Sequence, residues 1–76
     1  MIRNTLQLAF GKVIRGLRRE AGLSQEELAY RCNLHRTYIS QLERGLKSPS
    51  LTTIEALAHS LGKSPHQLIK VAEDMT

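Results

Sequence analysis

The chain has 76 residues, 41% of them hydrophobic, and a formal net charge of +4. Since a typical domain has roughly 100 to 150 residues, we expect residues 1–76 to form one domain, with no room for a second. The single cysteine excludes an internal disulfide and the lack of an apolar run of about 18 residues excludes a membrane span, so a cytoplasmic protein is expected.

The first predicted helix runs to about Ala21. Its apolar residues recur at steps of three and four and so share one face; they are Leu6, Ala9, Phe10, Val13, Ile14 and Leu17. Gly22 follows the last periodic turn, and a glycine can adopt the left-handed conformation that closes a helix.

This first segment also carries most of the positive charge. Residues 1–19 contain no acid and five basic residues, which are Arg3, Lys12, Arg15, Arg18 and Arg19. Such an excess indicates a polyanionic partner, either nucleic acid or an anionic membrane surface. Because many basic domains bind no nucleic acid, the charge alone leaves the partner open.

A second helix is predicted from Gln25 to about Cys32. Ser24 and Glu27 have the spacing of a capping box, in which each side chain satisfies a free backbone N–H group of the other residue. Asn33 tolerates the left-handed conformation and is expected to close this helix.

A third helix opens at His35 and ends at Gly45, with Ile39 and Leu42 facing inward. Residues 45–50 form a loop, because glycine, serine and proline cluster there.

The fourth helix starts at Ser50 or Leu51 and closes at Gly62; its predicted inward residues are Leu51, Ile54, Leu57, Ala58 and Leu61. The fifth starts with Ser64 as its cap and Pro65 in its first turn, and its apolar face is predicted to contain Leu68, Ile69 and Ala72. No segment alternates with the period of a strand, so the fold class is all-α.

Residues 24–44 have the pattern of a helix-turn-helix unit, two short helices joined by a tight turn. Ala29 is small enough for the helices to approach closely, and Asn33 bends the chain between them. Ile39 and Leu42 anchor the second helix, so that its other face projects outward.

Residues 23–29 (LSQEELA) and 37–45 (TYISQLERG) resemble the phage-repressor and Cro-type (XRE-like) helix-turn-helix family, and PSL at 49–51 and LGKS at 61–64 extend the likeness. The runs at 28–34 and 36–40 look most like controller proteins of restriction-modification systems. The resemblance implies a compact five-helix lambda-repressor-like DNA-binding domain, with dimerisation helices at about 51–72. Asn33 departs from the family pattern, where relatives often carry glycine, but it tolerates the same conformation.

The resemblance places the outward face of the third helix in the major groove of DNA, and the residue chemistry agrees. Arg36 can donate two parallel hydrogen bonds to guanine, Thr37 can bond a base edge or a phosphate and place its methyl group against thymine, and the amide of Gln41 suits adenine. Each of the three side chains could instead be a solvated surface residue.

Six further residues are candidate contacts to the DNA backbone: Gln25, His35, Tyr38, Ser40, Arg44 and Lys47. Gln25 begins the second helix, where backbone N–H groups and the helix dipole attract phosphate. Tyr38 could equally pack on the protein surface, and a positive charge near the end of a helix, such as Arg44, is also stabilising by itself.

Two roles follow from the resemblance alone. Arg18 and Glu43 match positions that form a structural ion pair between the first helix and the recognition helix. Glu26 matches a position that allows contact with RNA polymerase, although an acid in the first turn of a helix also stabilises that helix.

A domain this small buries only about 60% of its unfolded surface, so pairing with a second copy would add buried apolar area. The predicted two-fold contact consists of Leu61, Pro65, Leu68, Ile69 and Val71. It would place two recognition helices about 34 Å apart on one face of DNA. The alternative is that all but one or two of these residues belong to the internal core.

The three histidines show no metal-ligand spacing and no catalytic arrangement is present, so we expect no metal, no cofactor and no enzymatic activity. The prediction is a homodimeric, sequence-specific transcription regulator of a palindromic operator, of the restriction-modification controller type. Two other hypotheses stay open. One is an antitoxin or adaptor that binds a partner protein, and the other is a basic protein that binds DNA without sequence preference.

Overall fold

The computed structural model describes residues 5–76, which form five helices: α1 (Thr5–Glu20), α2 (Gln25–Cys32), α3 (Arg36–Glu43), α4 (Leu51–Ser60) and α5 (Pro65–Asp74). Arg3, part of the basic segment noted above, lies outside the described residues. No strand occurs between residues 5 and 76, and none of the five helices has the length and apolar character needed to cross a membrane. The all-α, five-helix prediction is confirmed.

Local side-chain chemistry sets the ends of α2. The backbone N–H of Ser24 donates to Glu27 Oε1 at 2.8 Å, and the backbone N–H of Glu27 donates to Ser24 Oγ at 3.0 Å. At the other end Asn33 adopts φ 56° and ψ 43°, the left-handed conformation. Both predicted caps are therefore present, and together they fix where the helix-turn-helix unit turns.

The core lies where the five helices meet: α1 packs on α3 and α5, α2 packs on α3 and α4, and α4 packs on α5. The largest fully buried side chains come from every helix; they are Ile14, Leu28, Ile39, Leu42, Leu57 and Leu68. Burying each such side chain contributes about 1.5–3 kcal/mol. Two of them, Ile39 and Leu42, hold α3 in place, which leaves its opposite side free.

Three predicted positions differ in the structure. Leu6 and Leu51 were expected to face inward, but they are 43% and 85% exposed. Each lies in the first turn of its helix, and helical side chains tilt toward the N-terminus, so both reach past the packed part of the domain. Leu68, predicted to contact a second copy, is only 1% exposed. It packs in the core of its own chain, so its assignment to the dimer contact is wrong.

Gly11 explains how closely α1 approaches α3, a contact that the sequence did not indicate. A Cβ atom at this position would lie 2.8 Å from the carbonyl oxygen of Glu43 and still closer to that of Leu42. Both neighbours are backbone atoms and cannot move without shifting α3. Glycine is therefore required here for helix packing, although Gly11 sits in the middle of a helix, where glycine is otherwise unfavourable.

Candidate nucleic-acid interface

The outer side of α3 is a surface of polar side chains supported from beneath. Ile39 and Leu42 are buried on its inner side, and Ala29 of α2 is buried against the same core. Arg36 and Thr37 are exposed, and Gln41 is half-buried one turn further along. The structure thus carries the three candidate base-contacting side chains on the part of α3 that does not face the core.

Arg36 is the first residue of α3, and its guanidinium forms no ion pair within residues 5–76. An exposed guanidinium without an acidic partner keeps all its donors available for an external acceptor. Gln41 follows Thr37 by four positions, so the two side chains lie on the same side of the helix. Arginine, threonine and glutamine side chains can each make directional contacts with base edges.

His35 is the N-cap of α3. Its Nδ1 accepts a hydrogen bond from the backbone N–H of Thr37 at 3.1 Å. A nitrogen that accepts carries no hydrogen, so in the neutral ring the hydrogen is on Nε2. His35 is exposed, and its remaining ring nitrogen is therefore a donor of the kind that binds a phosphate oxygen.

The other candidate backbone contacts differ in exposure. Arg44 and Lys47 are exposed, and Arg44 Nε donates to the carbonyl oxygen of Ser40 at 3.4 Å. Ser40 is half-buried, and Tyr38 is half-buried and packs against the core. Tyr38 therefore has a packing role in the domain.

Arg18 and Glu43 form a buried ion pair that joins α1 to the end of α3. Arg18 Nε donates to Glu43 Oε2 at 2.6 Å, and Arg18 Nη2 donates to Oε1 at 3.0 Å. Nη1 donates to the carbonyl oxygen of Leu23 at 2.8 Å. The hydrogen bonds to Glu43 raise the pKa of Arg18 above its ordinary value. With both charges hydrogen-bonded, the burial of the pair leaves neither group unsatisfied.

Tyr30 is a surface residue that sequence reasoning missed. It is 87% exposed on α2, and it shares a shallow hollow with Glu26, Leu34 and Arg36. The ring therefore lies close to Arg36, the first residue of α3. The only signal in the sequence was that Tyr30 falls outside the apolar period of α2.

The residues predicted for the dimer contact do not form one surface. Ile69 is half-buried and lines a hollow whose other apolar members are Leu6, Phe10, Pro49 and Ile54. We call this surface the α4 face and include in it Leu46 and Leu51, the exposed leucines on either side of Ser48 and Pro49 in the sequence.

Val71 lies on another side of α5. It lines a groove of about 420 Å³ between α1 and α5 with Leu17 and Met75, here called the α1–α5 groove. Pro65 precedes Ile69 by four positions and so lies on the same side of α5 as Ile69, while Leu61 at the end of α4 is half-buried.

Comparison with known proteins agrees with this geometry. A family model described as helix-turn-helix matches residues 14–68, which include α2, the turn and α3. Control protein C.BamHI from Bacillus amyloliquefaciens is 45% identical over 67 residues, covering 87% of this chain and 83% of that protein. Control protein C.MunI from a Mycoplasma species is 35% identical over 71 residues, covering 92% and 96%.

Solved structures show the same relationship. The restriction-modification controller protein C.AhdI from Aeromonas hydrophila superposes with a TM-score of 0.79 at 42% identity, covering 82% of this chain and 94% of that one. Wild-type C.Esp1396I, also a restriction-modification controller protein, gives a TM-score of 0.80 at 33% identity, covering 91% and 88%. The chain therefore belongs to the helix-turn-helix family of DNA-binding transcription regulators, in the group that contains the restriction-modification controller proteins.

Proposed function

We propose that this protein binds a short palindromic operator as a homodimer and that it controls its own promoter together with neighbouring restriction-modification genes. It would act in the cytoplasm, through DNA binding and not through catalysis. The observation that carries the proposal is the exposed row of hydrogen-bonding side chains on α3, supported by the buried Ile39 and Leu42. The similarity to control proteins supports the choice of target genes.

In this proposal Arg36, Thr37 and Gln41 read the base edges. Arg36 makes the bidentate contact with guanine, which discriminates against a wrong base by about 1–3 kcal/mol. Thr37 contacts a base edge or a thymine methyl group, and Gln41 pairs with adenine. The exposure of Arg36 and its freedom from any ion pair within residues 5–76 support its leading role.

The proposed phosphate contacts surround these three base-reading side chains. Gln25 at the start of α2 and His35 at the start of α3 contribute N–H donors, and Arg44 and Lys47 contribute positive charge beyond the end of α3. Tyr38 and Ser40 are second-rank contacts, because both are half-buried. Such contacts position the protein on the duplex but carry no sequence information themselves.

We propose that the α4 face forms the two-fold contact, in place of the five residues predicted from the sequence. Leu51, at its edge, is a large apolar side chain with 85% exposure. Residues 46–50 lie in the connection between α3 and α4, so a symmetric contact there would lie close to both copies of α3. Ile69 lines this face, Pro65 lies on the same side of α5, and both remain part of the proposed contact together with Leu61. Val71 is in the α1–α5 groove and Leu68 is in the core.

Glu26 is proposed to contact RNA polymerase when the bound dimer activates a promoter. It is exposed on α2 next to the exposed ring of Tyr30. The two side chains together give a surface that a protein partner could recognise by both charge and apolar contact. Glu26→Ala should then reduce activated transcription without changing affinity for the operator.

Selection of bound sequences from random DNA tests the function. The expected result is an inverted repeat whose two half-sites are centred about 34 Å apart, or one helical turn. Affinity for that sequence should exceed affinity for random DNA by about a thousandfold or more at one fixed salt concentration. Recovery of no preferred sequence, with equal binding to all DNA, would contradict the proposal and favour a sequence-independent DNA-binding protein.

A further inference from the structure

The carboxylate of Glu43 is a meeting point for three helices. Besides the two hydrogen bonds from Arg18 of α1, its Oε1 accepts a hydrogen bond from Nε2 of Gln25, the first residue of α2, at 3.1 Å. Glu43 itself is the last residue of α3. One buried side chain therefore links the start of α2, a proposed phosphate contact, to the end of the recognition helix.

This link determines which way the Gln25 amide faces. A carboxylate only accepts hydrogen bonds, whereas an amide has one accepting oxygen and two donating N–H groups. If the amide turned over, its oxygen would face the Glu43 oxygen and the two partial negative charges would repel. The pair thus holds Nε2 toward Glu43, and the second N–H of that nitrogen donates no hydrogen bond within residues 5–76.

Arg18 makes this arrangement compatible with a nearby phosphate. A free carboxylate close to the start of α2 would repel the phosphate, but the Arg18 guanidinium, 2.6 Å away, balances the Glu43 charge. The ion pair is buried, so water screens the two charges less than it would at the surface.

We propose that Glu43 is a positioning residue for DNA binding, because it holds the Gln25 amide so that an N–H donor faces the phosphate. This inference rests on the proposed function, specifically on the phosphate contact of Gln25. A freely rotating glutamine would have to be ordered when DNA binds, whereas this side chain is ordered beforehand, so less conformational entropy is lost on binding.

A double-mutant cycle tests the inference. Gln25→Met removes the amide at nearly constant length, and Glu43→Gln replaces the accepting carboxylate with a group that tolerates either amide orientation. Each single variant should bind the selected operator about tenfold more weakly, the size of one hydrogen bond to a charged group. The double variant should also be about tenfold weaker, because both changes remove the same contact.

Urea unfolding of all four proteins is measured in parallel, so that binding is compared only where each variant is fully folded. A hundredfold loss in the double variant would overturn the role of Glu43, since the two residues would then act independently. If Gln25→Met bound the operator with wild-type affinity, Gln25 would make no phosphate contact and this inference would fail, while the proposed function would stand. Failure of the wild-type protein to prefer any sequence would instead refute the proposed function.

A measurement on the free wild-type protein keeps the inference testable if Glu43→Gln fails to fold. One Nε2 proton of Gln25 donates to a buried carboxylate, so its chemical shift in NMR spectra should depart from the random-coil value and its exchange with water should be slow. Random-coil shifts and rapid exchange for both Nε2 protons would show that Glu43 does not hold the amide and would overturn the inference.

Discussion

The backbone of Gly11 in α1 lies directly against the carbonyl oxygen of Leu42 in α3, with no room for a methyl group between them. This contact sets the distance between α1 and the recognition helix. Further along α1, the ion pair of Arg18 with Glu43 joins the same two helices. Two contacts of different kinds therefore fix how the outer side of α3 is presented.

Gly11→Ala should destabilise the protein by about 1–3 kcal/mol or more, because the added methyl group would meet backbone atoms that cannot move aside. Gly16 is the matched control: it lies in the same helix, and a Cβ there would meet nothing within 4 Å. Gly16→Ala should stabilise the protein by about 0.5–1 kcal/mol. Urea unfolding of both variants provides the comparison, and equal effects of the same sign would refute the close-packing account.

Glu43→Ala should cost about 3–5 kcal/mol of unfolding free energy, since it leaves the Arg18 guanidinium buried without its partner. Asp74→Ala breaks the other ion pair of residues 5–76, between the exposed side chains of Lys70 and Asp74. It should cost less than about 1 kcal/mol. Thermal and urea unfolding measure both, and a small loss in Glu43→Ala would mean that the buried pair has no structural role.

Acid should weaken the cap of α2. Two hydrogen bonds with Ser24 lower the pKa of Glu27 below its ordinary value. The larger effect comes from the backbone N–H of Ser24 and the smaller from the Ser24 side chain. The stabilisation is therefore fully present above the unfolded-state pKa of about 4.3, and it is lost as the pH falls through the lower folded-state pKa.

Glu27→Gln keeps an accepting oxygen but does not titrate, so it is the control for this effect. The melting temperature of the wild type should exceed that of Glu27→Gln at pH 7, and the difference should shrink toward pH 3. A difference that does not change with pH would contradict the assignment.

The choice of dimer surface predicts different outcomes for two similar substitutions. Leu51→Glu introduces a charge into the α4 face and should convert the dimer to a monomer at micromolar concentration. Val71→Glu introduces the same charge at a 50% exposed residue of the α1–α5 groove and should leave the dimer intact. Sedimentation of the two variants decides between the surfaces. A monomer from Val71→Glu alone would place the contact at the groove.

The number of helices and the turn between α2 and α3 could be predicted because local chemistry determines them. Ser24 and Glu27 cap the start of α2, and Asn33 ends it. Each of them acts on residues only a few positions away, so the spacing in the sequence is enough to predict both ends of the helix. The side of α3 that faces out could be predicted as well, since Ile39 and Leu42 are buried on the other side.

Other features depend on contacts between distant segments and could not be read from spacing. Gly11 looks like an ordinary helical glycine until α3 is placed against it. Leu68 and Ile69 both belong to the predicted apolar face of α5, but Leu68 is in the core and Ile69 is only half-buried. The apolar period alone does not distinguish these two positions. The hydrogen bond from Gln25 to Glu43 likewise joins residues 18 positions apart.

Comparing Arg36→Ala with Lys47→Ala tests most directly whether Arg36 reads a base while the surrounding cations hold the DNA backbone. Affinities for the selected operator and for random DNA are measured over a range of salt concentrations. Arg36→Ala should reduce the preference for the operator by about tenfold or more, whereas Lys47→Ala should weaken binding to both DNAs alike and lower the salt slope by about 1. An unchanged preference in Arg36→Ala would contradict the account.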